Sequence, residues 1–167
     1  MKKYKDQRVG VFVDVQNMYY SAKNLFDAKV NFGKILEEAV GGRQLVRAIA
    51  YVVRGPNSDE DNFFNALDQI GFEIQTRDLQ VFIGGGKKGD WDVGICMDAI
   101  RMASKLDVVI LVSGDGDFSA LVNYLKYSQG CLVEVLAFGK TASSKLKEEA
   151  DLFTDLSLQR KFLIRSK

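Results

Sequence analysis

VVILVSGDGDFSALVNYL, Val108 to Leu125, is the stretch that decides the fold. Val108–Val112 is an unbroken apolar run, the pattern of a strand buried on both faces. Ser113-Gly114-Asp115-Gly116-Asp117 is a turn that carries two carboxylates two residues apart. Phe118, Leu121, Val122 and Leu125 then recur at helical spacing. Two acids therefore stand at the C-terminal end of a central strand, beside a helix N-terminus. In open parallel sheets that is where ligands bind. VGVFVDVQNMYY, Val9 to Tyr20, has the same grammar: a buried strand, then Asp14 and Asn17, then a helix. The expectation is that these two strands lie side by side and pool their acids.

The remaining chain repeats the alternation. Arg8–Val15 reads as the first strand and Asn17–Ala28 as a helix. Asn31 is placed to cap a helix over Phe32–Val40, which stops at Gly41-Gly42. Gln44–Val53 reads as the second strand, with Arg47 its one interior charge. Ser58 or Asp59 opens a helix through Phe63, Phe64, Leu67 and Ile70, ended by Gly71. Phe72–Arg77 alternates apolar and polar residues, the period of a half-exposed edge strand. Leu79–Ile83 is a short extended run, and Gly84–Asp90 is the glycine-rich, flexible stretch. Trp91–Ser104 is helical and leads into the central strand. Cys131–Phe138 is a further buried strand, Thr141–Ala150 a short helix, and the tail through Phe162-Leu163-Ile164 one more packed element. Strand and helix in alternation imply a mostly parallel sheet with helices on both faces and right-handed crossovers. The length of 167 residues suits one domain, with a core over about 8–156 and a tail over 157–167.

Composition narrows the function. There is no histidine, which removes Ser-His-Asp and Cys-His chemistry, His-ligated zinc and the HExxH pattern together. Cys96 and Cys131 lack CxxC spacing and read as buried, reduced thiols of a cytoplasmic protein. No apolar run is long enough to span a membrane. MKKYKDQR leads straight into a strand, so a secretory leader is not expected. The net charge is only +1, but with Asp14, Asp92, Asp98, Asp115 and Asp117 set aside the remainder carries +6. An acidic pocket in a modestly basic surface suits a polyphosphate ligand held through a bridging cation.

Each acid also has an ordinary structural use. Asp14 or Asn17 can cap the helix that follows, and so can Asp117. Asp92 sits at a helix start, where capping alone explains it. Asp98, six residues on, is 600° away around the helix, so the two do not share a face; Arg101 offers Asp98 an i,i+3 ion pair. Gly114 and Gly116 permit unusual backbone angles and the close approach of a ligand. Ser113 and Ser119 are placed to bond the acids or bound water. Three or four carboxylates without histidine point to Mg²⁺ or Mn²⁺ rather than zinc. Such a site can activate water for in-line phosphoryl displacement.

Taken together, FVDVQN, KKGDWDVGICMDAI, VILVSGDGDFSALV and LKEEADLF resemble the NYN domain family, LabA-like branch, of the PIN-like nuclease superfamily. The resemblance runs from about Arg8 to Leu156, and the motifs occur in the right order and at fitting intervals. It implies a three-layer α/β/α sandwich, PIN-like and Rossmann-like, with a central parallel sheet of strand order 3-2-1-4-5. It also implies metal-dependent hydrolysis of RNA phosphodiesters by an endonuclease. Asp14, Asp92, Asp115 and Asp117 match the metal-binding acids, Asn17 the polar partner after the first strand, and Asp98 the second acid of the helix motif. Trp91 departs from the pattern by its bulk: it either stacks on a base or turns its indole into the core.

Phosphate contacts are expected at the rim, from Lys87 and Lys88 on the glycine-rich loop, with Ser113 and Ser119 as further substrate contacts. GGGKKG is not a Walker A loop, since it lacks the GK[ST] ending and its spacing. The implied partner is single-stranded RNA. A homodimer joined through Phe162–Ile164 is a further expectation, and a membrane is not. A binding or regulatory module of the same fold, holding RNA or a protein without cleaving, is the competing reading. A dehalogenase-type phosphatase wants DxD after the first strand, where Gln16 stands instead.

Overall fold

The computed structural model describes residues 1–55, 60–84, 87–88 and 90–165; at 81, 87 and 88 only the backbone is described. Its centre is the pair anticipated from sequence. β1 (Arg8–Asp14) lies between β2 (Gln44–Arg54) and β4 (Val108–Val112) and is parallel to both. β3 (Glu73–Asp78) extends the sheet beyond β2. β5 (Leu132–Ala137) and β6 (Leu152–Asp155) extend it beyond β4. The order is thus β3-β2-β1-β4-β5-β6, all parallel. Five of these strands follow the expected 3-2-1-4-5, and β6 adds an edge that the sequence reading did not contain. LFTD is four half-buried residues, too short to show a period.

Alternation on the central strands divides the core in two. Val9, Val11 and Val13 of β1 join Val108, Ile110 and Val112 of β4 on one face. Helices α1 (Val15–Phe26), α2 (Phe32–Val40) and α3 (Glu60–Ile70) cover it with Met18, Ile35, Leu67 and their neighbours. Phe12, Val109 and Leu111 turn to the other face. There α4 (Asp92–Met102), α5 (Ser119–Tyr127) and α6 (Ser144–Glu149) close the layer with Ile95, Val122 and Leu146. Both faces of β4 are filled, which is why its sequence carries no polar interruption.

Helix ends follow the chemistry read from sequence. Asn31 accepts a hydrogen bond from the Lys34 amide and opens α2, and Gly41 ends it with φ of 55°. Asp14 caps α1, which begins at Val15, two residues earlier than the spacing suggested. The expected start of α3 at Ser58 or Asp59 lies outside the described residues; the described helix begins at Glu60. Leu79–Ile83 acquires a role, because Gln80–Val81 pairs antiparallel with Lys87–Lys88 as a small hairpin. In the tail, Phe162 is wholly buried in the protein's own core and Leu163 pairs with Val30, while Ile164 is half-exposed. Cys131 is buried and free, as expected, whereas Cys96 is only half-buried. Among the described residues no helix is long and apolar enough to cross a membrane.

Candidate metal centre

Because β1 and β4 are adjacent and parallel, the residues that follow them leave the sheet at the same end. Asp14 is the last residue of β1; Asp115 lies three residues beyond β4. Asp92 arrives from a different direction, as the first residue of α4. Asp14, Asp92 and Asp115 each offer one carboxylate oxygen within 4.8 Å of the other two.

The local wiring is short and dense. Asp14 Oδ1 accepts from the Asn17 amide at 3.2 Å, and Asp14 Oδ2 from the Ser113 hydroxyl at 3.2 Å. Ser113 Oγ in turn accepts from the Asp115 amide at 3.2 Å. Asn17 Oδ1 accepts from the Gly114 amide at 3.0 Å, tying α1 to the turn after β4. Asp115 Oδ1 accepts from the Asp117 amide at 2.9 Å, so Asp115, not Asp117, caps the turn that enters α5. At Gly114 and Gly116 the protein's own chain comes close. A Cβ on Gly114 would stand 3.0 Å from Ala142 Cα, and one on Gly116 2.8 Å from Ser143 Oγ.

Asp92 does not cap α4; residue 91 holds that position and makes no side-chain cap. The helix start is pinned by the indole of Trp91. Its Nε1 donates to the Val52 carbonyl at 2.9 Å, its ring lies 5.4 Å from that of Tyr51, and Arg77 stacks on it at 4.5 Å. Arg77 also donates to the Asp90 carbonyl at 2.8 Å. A Cβ on Gly94 would come within 2.6 Å of the Trp91 ring, so glycine is what lets the ring lie flat on the helix. Trp91 is therefore committed to packing, the second of its two expected uses.

Burial pushes the Asp14 carboxyl above the usual range, against hydrogen bonds from Asn17 and Ser113 that hold it down, with Asp115 and Asp90 adding to the rise. Asp92 is pushed up to about 6, first by burial and then by Asp115, Asp14, Asp90 and Asp117. Among the described residues no lysine or arginine forms an ion pair with any of the trio. Crowded carboxylates of this kind are tolerable as a neutralised acid or around a cation.

The other sequence candidates divide. Asp117 contributes its charge but lies outside the trio. Asp98 is also outside it: Asp98 Oδ2 accepts from the Tyr51 hydroxyl at 2.8 Å, and Oδ1 lies 3.7 Å from Arg101, the anticipated i,i+3 pair. Ser113 bridges two of the acids, whereas Ser119 is buried with no partner for its hydroxyl among the described residues. Lys87 and Lys88 contribute backbone to the hairpin; their side chains lie outside the described residues. Sequence reasoning passed over Asp90, whose charge reaches both Asp14 and Asp92. The signal was present in GDWD, which repeats the spacing of DGD.

A family model, the NYN domain, matches residues 8–157. The chain belongs to the NYN domain family. The low amplitude and bright protein LabA of Synechococcus elongatus is 26% identical over 171 residues, covering 96% of this chain and 89% of LabA. A crystal structure of a protein of unknown function from Vibrio parahaemolyticus is 33% identical, with a TM-score of 0.88. It matches 98% of this chain and 100% of its own. The T5 5′-exonuclease with bound zinc shares the fold at a TM-score of 0.53 and 14% identity, over 85% of this chain and 60% of the exonuclease. This NYN-domain chain thus shares the fold of that exonuclease, and its clustered aspartates could hold a metal ion.

Proposed function

We propose that the protein is a metal-dependent ribonuclease that hydrolyses RNA phosphodiesters at Asp14, Asp92 and Asp115. The observation that carries this reading is the convergence of three carboxylates, from two strand ends and a helix start, with no cationic partner among the described residues. The donor set suits Mg²⁺ or Mn²⁺: it is all oxygen, contains no histidine, and leaves room for water and phosphate oxygens. A divalent cation bound there would neutralise phosphate charge and lower the pKa of the attacking water.

The chain's own residues have separable tasks in this reading. Asp14 and Asp115 are held by the sheet and by the Ser113 hydroxyl, so their spacing is fixed before any ligand arrives. Asp92, whose carboxyl is pushed up to about 6, would be held in its ionised form by a bound cation. Asn17 keeps the turn after β4 seated on α1 through Gly114. Asp117 and Asp98 flank the site as outer acids, the latter through Tyr51. Lys87 and Lys88 take phosphates at the rim. The substrate is single-stranded and the compartment cytoplasmic.

The test is incubation of purified protein with labelled single-stranded RNA and Mn²⁺, beside Asp115→Asn and a chelator control. Cleavage by wild type alone, lost in both controls, supports the nuclease. Retention of RNA without cleavage would replace it with a binding module of the same fold.

A further inference from the structure

α1 gives one face to the core through Val15, Met18 and Ala22. Asn17, Tyr20, Ser21 and Asn24 follow the i, i+3, i+4, i+7 spacing on another face. That polar stripe lines a cavity continuous with Asp14 and Asp115. Thr141 also lines it, its hydroxyl 3.2 Å from Ser21 Oγ and 3.3 Å from the Phe138 carbonyl. The cavity therefore brings carboxylates together with amides, hydroxyls and an aromatic ring supplied by α1.

Among the described residues that line it there is no lysine or arginine. Phosphates alone would find nothing to pair with along α1. Amides and hydroxyls instead match the neutral donors and acceptors of a base edge and a sugar. Tyr20 is half-exposed, at 50%, and Tyr19 braces its ring edge-on at 5.3 Å between centroids. An exposed aromatic ring offers a face on which an unpaired base can stack. A duplex keeps its bases stacked on each other, so only an unpaired base can use this platform.

We propose that this cavity is a nucleoside subsite for single-stranded nucleic acid, with Tyr20 as its stacking platform and Asn24 and Ser21 facing the base and sugar. It rests on the nuclease reading for what lies at the carboxylates: the phosphate joined to that nucleoside. Tyr20 and Asn24 then determine which strands are seated, while the acids determine whether they are cut.

Fluorescence anisotropy tests it, with a labelled single-stranded RNA of about 12 nucleotides and an abasic strand of equal length, both in Ca²⁺. Tyr20→Ala is expected to raise the Kd for the base-bearing strand about tenfold, in line with loss of one stacked base. Tyr20→Phe is expected to bind as wild type does, and the abasic strand to bind wild type and Tyr20→Ala alike. No change with Tyr20→Ala, or equal weakening of both strands, overturns the proposal. A Mn²⁺ cleavage assay on the same proteins separates the two readings. Cleavage by wild type with binding indifferent to Tyr20 removes the subsite and keeps the nuclease. Base-dependent binding without cleavage keeps the subsite and removes the nuclease.

Discussion

Two buried acids in this molecule are treated in opposite ways. Glu134, in the middle of β5, is wholly buried and grips Arg43 through two hydrogen bonds, at 2.6 Å and 3.1 Å; Lys3 stands 3.8 Å away. Arg43 is itself fixed by the Ala39 and Val40 carbonyls. Asp14, at the end of β1, is 8% exposed and has a hydroxyl and an amide for partners, while its nearest charged neighbours are acids. The first acid has its counter-charge built into the chain and serves the fold. The second has none among the described residues, and its cluster could hold a cation instead.

The largest expected effect breaks the first half of that contrast. Arg43→Met keeps the alkyl bulk and leaves the buried Glu134 carboxylate with Lys3, 3.8 Å away, as its remaining ion-pair partner among the described residues, at a cost of about 3 kcal/mol. Thermal unfolding should fall by roughly 10 °C. Asp14→Asn should show no such loss in metal-free buffer, and equal destabilisation by the two substitutions would erase the distinction. Next in size is the gain on metal binding. At a hundredfold excess over Kd, Mn²⁺ should raise the unfolding free energy of wild type by about 2.7 kcal/mol. Asp115→Asn should lose most of that gain, and an undiminished gain in the variant would place the ion elsewhere.

A smaller effect concerns pH. Asp92 has its folded-state pKa raised to about 6 from an ordinary 3.8. The folded protein therefore holds a proton that the unfolded chain has released, and metal-free stability should fall as pH rises from about 4 to about 6. Asp92→Asn should shrink that decline, leaving the part due to Asp14, measured as the difference between the two proteins' urea midpoints across the window. A decline of equal size in the variant would assign it to other groups. Smallest is Tyr51→Phe, which deletes the hydroxyl on Asp98. It should cost about 1 kcal/mol of stability and leave Mn²⁺ affinity within about twofold. A tenfold loss of affinity would make Asp98 a true support of the centre.

The central part of this fold is legible because its signals are local. Val108–Val112 can be apolar throughout only if both faces are covered, and two such strands in a parallel sheet must end on the same side. That argument alone brings Asp14 to Asp115. Asp92 and Asp98 resisted because helical spacing says that they diverge without saying which one turns toward the sheet's end. The answer lies in contacts across the fold, Trp91 on Val52 and Tyr51 on Asp98, which spacing does not encode. Arg43 and Glu134 are 91 residues apart, and neither has a partner visible nearby in sequence. The stripe Asn17, Tyr20, Ser21, Asn24 was readable as a period, but its meaning required the cavity that it lines together with Asp14, Asp115 and Thr141.

Crystals soaked in millimolar Mn²⁺ and measured for anomalous scattering address the cation directly. A single strong peak is expected in contact with Asp14, Asp92 and Asp115, weakened or absent in Asp115→Asn crystals. Saturating Mn²⁺ with no peak among those three carboxylates, or with the peak on other residues, would contradict the account.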